Sequence, residues 1–216
     1  MNRDEFLRKT FGNAPSYVVE RIVELGPASI LTPEAIDRAA DSIIKAHTLT
    51  ATALSAAAGI PGGIGLIATI PADLANYYYH IVSVGQKLGY LYGWPDMLDA
   101  KEELTPDGQM ALTAFIAVMN KVALAQELVK AMAREAAVRV SSETAAKVAG
   151  KLLSKQIVGQ MAEAVARRLG HRITASSGGK AITRAIPLVS GVICGSVTYV
   201  GFRRQAFRLK EVLRGK

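Results

Sequence analysis

Apolar residues recur along this chain every three or four positions, the spacing of one face of a helix. Val18, Val19, Ile22 and Val23 form such a stripe between Pro15 and Gly26-Pro27, which predicts a short helix there. Thr32-Pro33-Glu34 supplies a cap, a proline at the first helical position and an acid in the positive first turn. Ile36, Ala39, Ala40, Ile43 and Ile44 then line one side, with Glu34, Asp37, Arg38, Asp41 and Lys45 on the other, so an amphipathic core helix is predicted. Thr105-Pro106-Asp107 repeats that opening, and the apolar run from Met110 to about Val138 predicts one bent helix or two, with Asn120 as the joint. Ser141 or Ser142 caps a further helix whose apolar face carries Val148, Leu152, Ile157, Met161, Val165 and Leu169; Lys147, Lys151 and Lys155, four apart, read as its solvated face. No segment alternates as a half-buried strand does, and no repeat recurs along the chain. The predicted fold is all-α: a single compact multi-helix bundle over residues 1–216 with a central apolar helical hairpin, residues 1–30 forming an N-terminal helical extension.

The hairpin is read from the first of two uncharged stretches. Between Lys45 and Asp73 stand 27 residues without a formal charge, interrupted by Gly59-Ile60-Pro61-Gly62-Gly63. The glycine-proline break leaves arms too short to cross a hydrocarbon core of roughly 30 Å, and a tight hairpin with its tip at Gly59, Pro61, Gly62 and Gly63 fits better. Such a tip packs between other helices or dips into a membrane. The second stretch, Ala185 to Phe202, has 18 uncharged residues bounded by Arg184 and Arg203-Arg204. Pro187, Ser190, Ser196 and Thr198, and basic residues on both flanks, favour a central bundle helix over a membrane span. The small-residue spacing of Gly191 and Gly195 serves close helix packing in either setting.

Charge then changes the picture. The chain has 216 residues, half of them hydrophobic, and a net charge of +8 that is unevenly placed. From Lys147 onward 14 Lys and Arg face only Glu163 and Glu211, a local net of +12, whereas the first 146 residues carry −4. Such an asymmetry points to an anionic partner, a membrane face or nucleic acid, or else to pairing with the acidic body of the same molecule. The single cysteine, Cys194, cannot form an internal bridge, and the charged first thirty residues lack the apolar run of a secretory leader; a cytoplasmic setting is expected.

Catalytic signatures fail on inspection. Gly63-Ile64-Gly65-Leu66-Ile67-Ala68 matches a dinucleotide fingerprint in letters but follows an alanine-rich helix rather than a strand. Ser177-Gly178-Gly179-Lys180-Ala181 lacks both the first glycine and the Ser or Thr of a phosphate loop. His47, His80 and His171 have no metal-ligand spacing, and no cofactor or metal is expected. One polar set stands out: Asp73, Tyr77 and His80 fall on one face of the helix that follows Pro71. Its carboxylate is read as a helix cap or a buried ion-pair partner, the alternative being a small-molecule or hydrolase site in a cleft.

Several separated motifs resemble the bacterial EcsC family: Gly59-Ile60-Pro61-Gly62-Gly63, Ile70-Pro71-Ala72-Asp73, Tyr90-Leu91-Tyr92-Gly93, and Arg184-Ala185-Ile186-Pro187-Leu188-Val189-Ser190-Gly191. The resemblance covers roughly residues 35 to 213 and departs at Thr198, where the family pattern leads one to expect Asn. It implies a mostly helical bacterial protein, encoded beside an ABC-transporter operon in the founding case, with no agreed enzymatic activity. Together these readings lead to the expectation of a non-enzymatic helical protein, peripheral at the cytoplasmic face of the inner membrane. Lys180, Arg184, Arg203, Arg204, Arg208, Lys210 and Arg214 are its expected contacts with an anionic surface, each worth about 1 kcal/mol. Nucleic acid is the alternative partner, weakened by the lack of interleaved aromatics; a second copy of the chain or a membrane protein completes the set.

Overall fold

The computed structural model describes residues 1–59, 63–122, 124–138 and 187–215. Among them the secondary structure is helical, the one β-bridge being an isolated pair, Leu98 with Leu104. Three short N-terminal helices come first: α1 (Arg3–Phe11), α2 (Ser16–Leu25) and α3 (Pro27–Ile30). The Asn2 side chain accepts a hydrogen bond from Glu5 N at 2.9 Å and caps α1, which also has Asp4 and Glu5 in its first turn and Arg8 and Lys9 in its last. Gly26, at φ 83°, ends α2 in a left-handed conformation that glycine adopts without a Cβ clash, and Pro27 starts the next turn.

Two long helices follow, α4 (Pro33–Gly59) and α5 (Gly63–Leu91), packed together as a hairpin; residues 60–62, at the expected tip, lie outside the described residues. Thr32 Oγ1 accepts from Ala35 N at 3.3 Å, as the Thr-Pro-Glu opening predicts. The helix expected to restart after Pro71 does not restart: α5 runs unbroken from Gly63, so Asp73 lies well inside it and is not its N-cap. A proline removes one N–H bond from the ladder, and in a helix of 29 residues packed on its neighbours the other turns outweigh that loss.

An irregular segment then carries Trp94 into the core, edge-on to Phe115 with ring centroids 4.8 Å apart. Its Asp96 ties the loop down by accepting from Tyr90 Oη at 2.8 Å and from Arg3 N at 3.1 Å. Helix α6 (Pro106–Met119) begins at the expected Thr105 cap, whose Oγ1 accepts from Gly108 N at 2.9 Å. It ends at Asn120, the expected joint, where Nδ2 donates to Ile116 O at 2.8 Å before α7 (Ala125–Val138). The helix read from Ser141 or Ser142 to about Leu169 lies outside the described residues. Helix α8 (Pro187–Arg214) closes the fold and packs on α4, α5, α6 and α7. Among the described residues no helix is long and apolar enough to cross a membrane, and the described part of the second uncharged stretch, Pro187 to Phe202, is the first part of a bundle helix.

The core follows the helical periods. Ile81, Val84, Leu88 and Leu91 of α5 face inward, as do Phe202, Ala206, Leu209 and Leu213 of α8, while α6 is buried on nearly every side. Small residues set the closest approaches. A Cβ on Gly108 would stand 2.3 Å from the Met97 carbonyl oxygen, so this turn accepts no side chain, whereas one on Gly85 would meet only side-chain atoms at 3.7 to 3.9 Å. Gly108→Ala is therefore expected to lower the unfolding free energy by about 1–3 kcal/mol. Gly85→Ala is expected to be neutral or to stabilise by up to about 1 kcal/mol. Urea denaturation of the two variants checks the contrast.

Candidate functional site

Helices α4 and α8 run antiparallel in a single register. Arg214 Nε lies 3.2 Å from Asp37 Oδ2, and Lys210 Nζ 2.6 Å from Asp41 Oδ1. Thr198 Oγ1 donates to Ser55 Oγ at 2.9 Å, and a Cβ on Gly195 would stand 3.2 Å from that of Ala56. Helix α5 joins at matching levels: Tyr92 Oη donates to Asp37 Oδ1 at 2.7 Å, and His80 faces His47. The three helices therefore share one axis along which side chains can be ranked by height.

Ranked so, the unit divides. Its base holds Glu34, Asp37, Arg38, Asp41, Lys210 and Arg214. The Tyr92 hydroxyl, half-buried and bonded to the Asp37 carboxylate, has its pKa pushed far above the ordinary phenol value, first by burial and then by Asp37. Lys45, Arg203 and Arg204, all exposed, form a collar near the level of His47. From the collar to Gly59 helix α4 has no formal charge, and α8 has none from Arg203 back to its start. Asp73 of α5 is the sole formal charge in this end of the unit; its side chain lies outside the described set.

Among the described side chains of that end the larger groups are placed in reverse of a water-soluble bundle, although Ala51 is also buried and Thr50 and Ser196 are exposed. Thr48 and Ser55 of α4 and His80 of α5 are buried, whereas Leu49, Leu54, Tyr79, Val197, Tyr199 and Val200 are exposed, Tyr79 and Val197 each by 67%. The inward hydroxyls are satisfied locally: Thr48 Oγ1 donates to Ile44 O at 2.6 Å, and Ser55 accepts from Thr198. Thr52 Oγ1 and Asn76 Nδ2 are buried without a hydrogen-bond partner among the described residues. A few exposed apolar side chains are ordinary on any surface; six of them around a charge-free end with a hydroxyl-lined interior are not.

The set Asp73, Tyr77 and His80 is not brought together on one neighbour. Tyr77 turns to α8, its hydroxyl donating to Gln205 Oε1 and its ring edge-on to Phe202, and Gln205 Nε2 donates on to Asn120 Oδ1 at 2.9 Å. His80 turns to α4 instead, with its Nδ1 2.9 Å from Nδ1 of His47, whose Nε2 lies 2.9 Å from Lys87 Nζ. The two histidines stand twelve residues before Gly59 and seventeen after Gly63, so a hairpin turning there brings them near one level. That hairpin symmetry is the sequence signal for the pair, which spacing along a single helix does not show. Burial, reinforced by the Lys87 and His80 charges, pushes the His47 pKa down to about 4; burial and Lys87 also lower His80, and burial and Lys9 lower Lys87. Among the described residues no three His, Cys, Asp or Glu side chains gather as metal ligands do.

Three of the cations expected to meet an outside anion have partners within the chain, Arg214 while still half-exposed. Lys210 is buried on Asp41, Arg214 pairs with Asp37, and Arg208 Nη1 donates to the Met119 carbonyl at 2.6 Å, capping the end of α6. The reason is register: Lys210 and Arg214, one turn apart, lie on the α8 side that meets α4, and Arg208 lies on the side that meets α6. Arg203 and Arg204 form no ion pair among the described residues, Arg203 resting 5.3 Å above the Phe207 ring, and Lys180 and Arg184 lie outside those residues. No protein-family model, curated protein or solved structure matches the chain.

The buried Lys210 beside a half-exposed Asp41 separates packing from charge. Lys210→Met keeps an apolar stem and is expected to cost about 1 kcal/mol or less. Lys210→Ala also leaves a void and is expected to cost at least about 2 kcal/mol. Chemical denaturation compares them.

Proposed function

We propose that this is a peripheral membrane protein, non-enzymatic, that meets an anionic bilayer with the uncharged end of the α4–α5–α8 unit. The observation that carries this reading is the reversed polarity of that end. Exposed Leu49, Leu54, Tyr79, Val197, Tyr199 and Val200 stay unfavourably hydrated in water, and the same side chains are at home against acyl chains, where buried hydroxyls and backbone groups must find their bonds internally. Nucleic acid offers no counterpart for an apolar flank.

The dimensions bound the depth. Fourteen residues separate Lys45 from Gly59, a rise of about 21 Å, less than the roughly 30 Å hydrocarbon core and more than one leaflet of it. Lys45, Arg203 and Arg204 then stand at the height of the lipid phosphates and act as the stop, their stems reaching along apolar surface while their charges stay with the head groups. The cytoplasmic face of a bacterial inner membrane, rich in anionic lipid, fits this arrangement and the strongly basic last third of the chain. The EcsC resemblance brings no activity with it and leaves this reading to stand on the polarity pattern.

Flotation with anionic and with neutral vesicles tests it. The wild-type protein is expected to float with anionic vesicles and to bind them less as salt rises. Arg203→Ala with Arg204→Ala is expected to weaken that binding about thirty-fold, two cations at about 1 kcal/mol each. Val200→Asp is expected to abolish insertion with the collar intact. Absent or equal binding to both vesicle types, or a Val200→Asp variant that binds as the parent does, rejects the reading.

A further inference from the structure

We propose that the His47–His80 pair is an acid-sensitive latch between α4 and α5, holding the uncharged end closed near neutral pH and releasing it on acidification. The proposal rests on the membrane reading above for its purpose, and on the hydrogen-bond chain Lys87–His47–His80 for its mechanism.

The chain has room for one positive charge. An ammonium can only donate, so Lys87 donates to His47 Nε2 across 2.9 Å. His47 must then carry its proton on Nδ1 and donate it to His80 Nδ1, also across 2.9 Å, which leaves the His80 proton on Nε2. A second positive charge has no place to go. Placed on His80 Nδ1, it sets two N–H groups face to face at that distance. Moving the His47 proton to Nε2 to relieve this turns a second N–H toward the Lys87 ammonium. Either arrangement replaces a hydrogen bond with a donor–donor contact in a half-buried site, where it is least screened.

No described side chain around the pair is a compensating acid, and Asp73, two turns before His80 on α5, has its side chain outside the described set. On α4, Asp37 and Asp41 are held by Tyr92, Arg214 and Lys210. On α5 the neighbours are Lys87 and the Tyr79 ring, which lies edge-on to His80. Helix α1 contributes the cation Lys9, acting through Lys87, while its Asp4 pairs with Arg3, its Arg8 with Glu20, and its Glu5 is exposed. Helix α6 has one charged residue, Asp107, exposed in its first turn, and α3 has none. Helix α8 turns Lys210 and Arg214 to the α4 acids and Arg203, Arg204 and Glu211 to solvent. Protonation therefore adds charge to a cationic neighbourhood.

The sign follows from linkage. Both histidines bind a proton less readily when packed than when released, so the contribution of the closed pair is full above the ordinary histidine pKa of 6.5 and is lost as pH falls toward about 4. For His47 alone, the fall from pH 7.5 to 5 favours the open form on the order of thirty-fold.

Hydrogen exchange on the full chain, without lipid, reads the latch directly. After correction for intrinsic rates, α4 and α5 amides beyond the collar are expected to open on the order of thirty-fold more readily at pH 5 than at pH 7.5. Exchange in α1 and α2 is the reference. His47→Gln, which keeps a polar side chain but cannot be protonated, is expected to remove most of that dependence, and His80→Gln, which leaves His47 its burial and the Lys87 charge, is expected to reduce it should the first variant fold poorly. Equal pH dependence in the parent and in whichever of these variants folds overturns the latch. Vesicle flotation at both pH values is the second arm: stronger binding at pH 5 in the parent but not in the variants supports the coupling. An acid-dependent exchange change without vesicle binding at either pH keeps the latch and rejects the membrane reading.

Discussion

The contact of α4 with α8 sets the height of nearly every other functional side chain. Gly195 against Ala56 brings the two backbones close, and Asp37–Arg214 and Asp41–Lys210 fix the register at the other end, so neither helix can slide a turn without parting two ion pairs and driving a side chain into a backbone. Coulomb attraction at such half-exposed sites is modest, and its value here is positional more than energetic. Once α4 and α8 are locked, the hairpin partner α5 follows, because Tyr92 must reach Asp37 at the base and His80 must reach His47 at the collar.

That lock separates two solvents along one axis. Below the collar the unit obeys the rule for water: acids and bases pair at the surface and Ile44, Ile81, Leu88 and Leu209 fill the interior. Above it, among the described side chains, Thr48, Ser55 and His80 lie inside and leucine, valine and tyrosine outside. Small hydroxyl residues permit close approach, and Thr48, bonded back to Ile44, and Ser55, bonded to Thr198, are satisfied without water, whereas Thr52 and Asn76 have no partner among the described residues. The collar marks where one regime gives way to the other, and the histidine pair sits at that boundary.

How much of this the amino acids announce depends on the range of the interaction. Local signals carried through: Thr105 caps α6, Asn120 ends it, Gly26-Pro27 parts α2 from α3, and the glycine break marks the hairpin. Pro71 misled because a proline penalises one bond, whereas helix continuation is decided by packing over many turns. The cations of α8 were legible as a cluster but not as individuals. Only the register against α4 separates Lys210 and Arg214, which find acids, from Arg203 and Arg204, which find none among the described residues. For the same reason Tyr77 and His80, three residues apart and on one broad face, part company: a rotation of about 60° about the helix axis sends one to α8 and the other to α4. The His47–His80 contact joins residues on separate helices, which single-helix periodicity does not report.

The reversed polarity of the bundle end is the claim on which the functional account stands, and depth in a bilayer measures it. With Cys194 replaced by Ser, a nitroxide placed at Leu54 and another at Glu34 can be compared on anionic vesicles for collision with oxygen, which favours lipid, and with a water-soluble nickel chelate. The account expects the Leu54 label to be reached by oxygen and shielded from nickel, and the Glu34 label to behave in the opposite way. Labels equally open to nickel, with protein bound to the vesicles, would place the charge-free end in water and contradict it.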